Sequence, residues 1–136
     1  FYEYQEGGGT TVASKALGIP EHNTVKTLIF ETDQGDPLIV LMHGDLQVST
    51  KGLARFLGVK RVTPCGHETA NRHTGYVIGG TSPFGTKRAM PIYAESSIFE
   101  LDRVTISAGS RGFLVEVNPA DLLEHMEITK VSVGIT

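Results

Sequence analysis

Lys26 is the most informative charge in the chain. It lies in Val25–Thr32, a β-rich apolar run, where alternation puts its side chain on the same face as Leu28 and Phe30. An ammonium at the end of an apolar row either snorkels to water from the strand end or faces a pocket and binds a carbonyl, carboxylate or phosphate. A second candidate is Gly75-Tyr76-Val77-Ile78-Gly79-Gly80-Thr81-Ser82-Pro83-Phe84-Gly85. Adjacent glycines let backbone approach a ligand and present successive N–H donors as an anion or oxyanion nest, stiffened here by Pro83; the alternative is an ordinary connecting loop. The third, Ser107-Ala108-Gly109-Ser110-Arg111-Gly112, is either another donor-rich turn or a plain hairpin turn.

Other chemistries find less support. Gly80 and Gly85 have the separation of a phosphate loop, but Gly85 is followed by Thr86 and then Lys87, the wrong order for a lysine that must reach back over phosphates. No Gly-x-Ser-x-Gly elbow occurs. His67-Glu68 with His73 misses the zinc-helix spacing, because Asn71 stands where the second histidine belongs. His22, His43 and His125 are scattered beside turns or helix ends and read as solvated, so no metal site is expected. Cys65 precedes Gly66-His67, which allows a Cys–His pair, but a passive buried thiol is the simpler reading. Lys51, Arg55, Lys60, Arg61, Arg72, Lys87, Arg88 and Arg111 are spread through the middle of the chain. Converging on one cleft they could hold an RNA backbone; otherwise they form a solvated surface.

The elements that must position these groups follow from local pattern. Phe1–Gln5 reads as a short strand. Thr10 or Thr11 caps a helix running through Leu17, with Gly18 as its stop and Pro20 beyond. Val25–Thr32 and Leu38–Met42 form a hairpin around the turn at Asp33–Pro37. Ser49 or Thr50 caps a helix over Lys51–Leu57, ended by Gly58. Val59–Val62 is a brief strand and Glu68–His73 one helical turn. Strands are expected at Pro91–Ala94, Arg103–Ser107 and Phe113–Val117, then a helix from Pro119, at its first turn, through His125, and a last strand at Ile128–Val133. Strands outnumber helices and mostly follow one another directly. The class is therefore α+β with a mixed, mainly antiparallel sheet and flanking helices.

Composition bounds the function. At 136 residues the chain suits one domain, 1–136, with no repeat or linker. A hydrophobic fraction of 40% against 20% charged is ordinary globular balance. No run approaches the roughly 18 apolar residues of a membrane helix. The lone cysteine and the lack of an Asn-x-Ser/Thr sequon suit the cytoplasm. A net charge of −3 argues against a sequence-blind nucleic-acid coat but permits a local basic patch gripping one end of an RNA. The chain opens at Phe1 rather than methionine, so it is either processed or missing its start.

Taken together, Val25-Lys26-Thr27-Leu28, Thr74 through Gly85, and Ile106 through Gly112 resemble, in order and spacing, the YbaK-like aminoacyl-tRNA deacylases of the prolyl-tRNA synthetase editing-domain superfamily. The likeness runs from about Tyr4 to Val131, and the family's first helix would lie upstream of Phe1. It implies an α+β fold around a mixed sheet and hydrolysis of the ester between an amino acid and tRNA, in the cytoplasm and without a cofactor. Lys26 looks like the family's essential lysine, steadying the terminal adenosine and carbonyl region. Gly79 through Pro83, with Gly80, Thr81 and Ser82 between, looks like the Gly-x-x-x-Pro loop whose backbone holds the 3′-terminal ribose and aminoacyl group, with Gly79 counted as catalytic. Tyr4 and Ser107 fall where relatives line the pocket, and Gly109 belongs to the same binding set. Three departures bear on that pocket: Gln5-Glu6-Gly7-Gly8-Gly9 after Tyr4, Thr81 where isoleucine is common, and Leu114 at a position polar in some relatives.

The resemblance leans to the cysteine-clearing branch, hence Cys-tRNA(Pro), with prolyl-tRNA synthetase as a possible partner and neither DNA nor a membrane. Oxyanion donors at Gly79 and Gly80, with Lys26 to position the ester, would suffice for an already activated bond. No side chain is an obvious general base, so the substrate's 2′-OH or thiol would assist. Competing expectations are clearance of alanine or another small residue, a non-catalytic adaptor for tRNA or a synthetase, and a small-anion binder using the glycine loop.

Overall fold

The computed structural model describes residues 14, 15, 17–66, 90–107 and 114–136. The expected strand at Phe1–Gln5, the helical turn at Glu68–His73 and the loop from Gly75 to Gly85 lie outside these residues, as does the start of the first helix. Ser14, Lys15 and Leu17 are helical. Gly18 then takes φ +68°, a left-handed conformation that glycine adopts without the Cβ clash, and Ile19 N–H closes on the Ser14 carbonyl at 3.0 Å.

The hairpin forms as its sequence implies. β1 (Thr24–Thr32) pairs antiparallel with β2 (Pro37–His43), Lys26 facing Met42 and Phe30 facing Leu38. Pro37 sits at the first residue of its strand, where its missing N–H costs no interior ladder bond. All of β2 is buried, as suits a central strand covered on both faces. Further elements are β3 (Gln47–Val48), α1 (Thr50–Leu57), β4 (Val62–Pro64), β5 (Ile92–Glu95), a 3₁₀ turn (Ser96–Glu100), β6 (Val104–Ser107), β7 (Leu114–Val117), α2 (Pro119–His125), β8 (Ile128–Val131) and β9 (Gly134–Ile135).

Among the described residues the main sheet runs β7-β6-β1-β2-β5-β8, with β4 also on β1. β1–β6, β2–β5 and β5–β8 are parallel; β1–β2, β1–β4 and β6–β7 are antiparallel. The sheet is thus mixed, with antiparallel pairing along most of its ladder, and the α+β expectation holds.

Two cores occupy its two faces. Phe30, Leu38, Val40 and Met42 pack with Leu53 and Ala54 of α1 and with Val62. Val25, Ile29, Ile39 and Leu41 pack with Ala94, Ile98, Val104 and Ile106 on the other side. α1 is held at both ends by the residues its sequence offered: Ser49 Oγ accepts from Gly52 N–H at 3.1 Å, and Gly58 ends the helix at φ +71°.

One strand differs from expectation. Val59–Val62 reads as β-rich, but the strand is Val62–Pro64. Val59 N–H instead bonds the Ala54 carbonyl at 3.1 Å, so helix termination consumes the start of that run and pairing with β1 is delayed. Sequence periodicity also passed over the 3₁₀ turn and the small β3–β9 sheet. The end of the chain was expected to be one strand over Ile128–Val133. It breaks after Val131 because the buried Glu95 carboxylate accepts from Val133 N–H at 2.7 Å and Gly134 N–H at 2.9 Å, diverting the chain into β9.

Candidate functional site

Lys26 and Ser107 are the predicted site residues that fall in the described structure, and the sheet brings them together. β1 and β6 run parallel, with Thr24 beside Thr105 and Val25 beside Ile106. One step beyond that last pair, Lys26 and Ser107 occupy neighbouring positions on one face, where adjacent strands lie roughly 4.8 Å apart. Continuing outward, Leu114 of β7 faces Ser107; continuing inward, Met42 of β2 faces Lys26. The result is a row of Leu114, Ser107, Lys26 and Met42 across four strands. Met42 is fully buried and the other three are half-buried. Tyr4, Gly79, Gly80, Thr81, Ser82, Pro83 and Gly109 lie outside the described residues.

The surroundings of Lys26 bear on both of its readings. Its Nζ donates to the Gly44 carbonyl at 3.5 Å, and burial lowers its pKa, opposed by the nearby carboxylates of Glu21 and Asp45. A partly dehydrated ammonium interacts more strongly with a carbonyl or phosphate oxygen, because less solvent screens it.

Behind Lys26 lies a polar chain that sequence reasoning missed. His43, expected to be solvated, is wholly buried: it ends the covered central strand on the face of Val25 and Leu41. Its Nδ1 meets the His22 carbonyl at 2.7 Å and its Nε2 meets Ser97 Oγ at 2.7 Å. A carbonyl only accepts, so Nδ1 carries the proton and, in the neutral ring, Nε2 accepts from the Ser97 hydroxyl. The His22 ring stacks on His43 at 3.8 Å between centroids and 6° between planes, and its Nδ1 donates to Asp45 at 2.9 Å. His22, His43 and Asp45 offer atoms within 4.8 Å of one another. Yet His43 places both nitrogens on protein partners and His22 Nδ1 on Asp45; the trio is built as a hydrogen-bond chain. The signal for it was His43-Gly44-Asp45, an abrupt polar triplet closing an otherwise apolar strand.

Cys65 behaves as the passive thiol the sequence suggested. Its Sγ donates to Glu31 Oε1 at 3.2 Å, and burial together with that carboxylate pushes its pKa up to about 12. A thiolate nucleophile needs the opposite shift.

The chain matches a known group. Residues 7–125 match the family described as the aminoacyl-tRNA editing domain. The chain is 30% identical, over 110 residues, to EbsC of Enterococcus faecalis, named as a candidate Cys-tRNA(Pro)/Cys-tRNA(Cys) deacylase; the match covers 81% of this chain and 67% of that protein. It is 29% identical over 121 residues to a proline–tRNA ligase of Streptococcus thermophilus, covering 87% of this chain but only 19% of the ligase. Among solved structures, a candidate trans-editing enzyme for prolyl-tRNA synthetase superposes with a TM-score of 0.85 at 20% identity, over 98% of this chain and 85% of that one; at that identity the likeness shows the fold.

The chain therefore belongs to the aminoacyl-tRNA editing domain family. It is an ester hydrolase of the aminoacyl-tRNA deacylase class, with tRNA as its substrate.

Proposed function

We propose that this protein is a trans-acting editing hydrolase that clears cysteine wrongly attached to tRNA(Pro). The observation that carries the reading is a desolvated lysine sharing one face of the sheet with Ser107, in a chain of the editing family whose relatives include a candidate Cys-tRNA(Pro) deacylase. Water or the substrate's own thiol attacks the ester carbonyl, and the bond to the 3′ ribose oxygen breaks. Lys26 holds the terminal adenosine and carbonyl region, while N–H donors at Gly79 and Gly80, in the loop reaching to Pro83, stabilise the oxyanion. One such donor is typically worth about 10²–10³ in rate. Tyr4, Thr81, Ser82, Ser107 and Gly109 complete the pocket, and Leu114 beside Ser107 gives it an apolar wall.

Deacylation by the purified protein of a panel of Cys-, Ala- and Pro-charged tRNA(Pro) tests the proposal. Cys-tRNA(Pro) is expected to turn over fastest; preference for the alanyl ester would reassign the amino acid, and tight tRNA binding without turnover would make the chain an adaptor. Prolyl-tRNA synthetase is the natural partner on this reading, since that enzyme would produce the error, and the cytoplasm is the place of action. No helix among the described residues is long and apolar enough to cross a membrane.

A further inference from the structure

Four cations that are scattered in sequence, Lys51, Arg55, Lys60 and Arg61, come together around α1. On one side of the helix a groove of about 620 Å³ is lined by Lys51, Lys60 and Arg61, with Asp33 as its single carboxylate. On the other side a groove of about 520 Å³ is lined by Arg55 and Phe56 together with the Ser96 and Ser132 hydroxyls; the Lys130 ammonium lies instead over the Phe99 ring, 4.9 Å from its centroid, on the other face of the sheet. All four cations are exposed, and none has an ion-pair partner among the described residues. α1 itself contains no acidic residue, whereas α2 and its flanks carry Glu116, Asp121, Glu124 and Glu127. In a chain of net charge −3, four of the eight lysines and arginines among the described residues thus flank this one helix. Phe56, 54% exposed, stands on that ridge with its ring edge-on to Tyr93 at 6.2 Å.

We infer that α1 and its two flanking grooves form a docking surface for the phosphate backbone of an RNA duplex, the arm of the tRNA adjoining the charged 3′ end. This deepens the editing reading and rests on it for the identity of the RNA. A helix with its side chains is about 10–12 Å across, so Lys51, Lys60 and Arg61 on one flank and Arg55 on the other can meet phosphates of one RNA backbone at once. α1 covers the same sheet face that carries Lys26. Along β1, Lys26 and Thr32, which pairs with Val62 next to Arg61, stand ~20 Å apart at strand rise. One RNA can thus lay its terminal nucleotides toward Lys26 and its duplex on the ridge. A membrane is less well matched, since Phe56 is the lone exposed large apolar side chain on this ridge.

The experiment is equilibrium binding of uncharged tRNA as a function of salt, with poly-glutamate as competitor. Each phosphate contact contributes about 0.7–0.9 to the slope of log affinity against log salt. The variant Lys51→Gln/Arg55→Gln/Lys60→Gln/Arg61→Gln is expected to lose about 3 from that slope and at least about tenfold in affinity near 0.1 M salt. Lys60 and Arg61 lie outside the helix, so Lys60→Gln/Arg61→Gln alone should lose about 1.5 even if the fourfold variant folds poorly. Unchanged slopes in both variants, or a flat slope in the parent, would overturn the surface, and poly-glutamate competing as well as tRNA at equal charge would overturn the RNA assignment. Failure of the editing reading looks different: no charged tRNA is turned over, while the slopes still fall as expected and the surface stands.

Discussion

At the scale of the residue, Lys26 shows how position changes the chemistry of an ordinary side chain. Its ammonium is half-buried at the end of an apolar row and pays for that in solvation, which is why its pKa falls. The linkage has a definite sign. With a folded value below the ordinary 10.5, the folded chain binds fewer protons than the unfolded chain between the two values, so stability rises with pH through that window. Lys26→Met is therefore expected to melt at a higher temperature than the parent at pH 7, with the difference closing as pH approaches 10.5. Lys26→Ala is expected to abolish deacylation of Cys-tRNA(Pro) while the far-ultraviolet circular dichroism stays native; retained turnover would remove Lys26 from the site. Cys65 supplies a contrast. With its thiol held near 12, it should resist alkylation at pH 8 until the chain is unfolded, and Cys65→Ser should edit at the parental rate.

Elements are where these residues acquire their aim. The parallel β1–β6 pairing sets Ser107 beside Lys26, and the hairpin register sets Met42 on the other side. Glu95 has a comparable organising role at the end of β5, where it satisfies two backbone donors and turns the chain into β9. Glu95→Ala leaves both N–H groups without that partner and is expected to cost roughly 2–4 kcal/mol in urea unfolding. Gly134→Ala should act through the same carboxylate, because an added Cβ would lie 2.5 Å from Glu95 Oε2. Gly58, at φ +71°, is a simpler case: alanine there meets the left-handed penalty of about 1–2 kcal/mol and would loosen the end of α1, with its basic ridge.

For the whole molecule, the charge distribution matters more than the charge. A sequence pI near 5.9 gives no hint of an RNA-binding face, yet the cations around α1 form one while acids gather on α2. On the editing reading this predicts a particular kinetic pattern. kcat/KM for charged tRNA should fall steeply with salt, whereas kcat at saturating tRNA should change little, because screening acts on encounter and docking rather than on the ester. A parallel fall of both would place the salt-sensitive contacts in the chemical step instead.

Near-neighbour chemistry wrote the hairpin at Asp33–Pro37, the Ser49 and Gly58 ends of α1, the Pro119 start of α2 and the face that Lys26 shares with Leu28 and Phe30. Each of these depends on a few adjacent residues, through steric limits, capping hydrogen bonds and alternation, so each was legible in the chain itself. The burial of His43, the break after Val131, the neighbourhood of Lys26 and Ser107 and the gathering of Lys51, Arg55, Lys60 and Arg61 were not. Strand order and register come from burying both faces of one sheet at once, a collective requirement that no local segment encodes. Only the folded chain could decide which distant residues would meet.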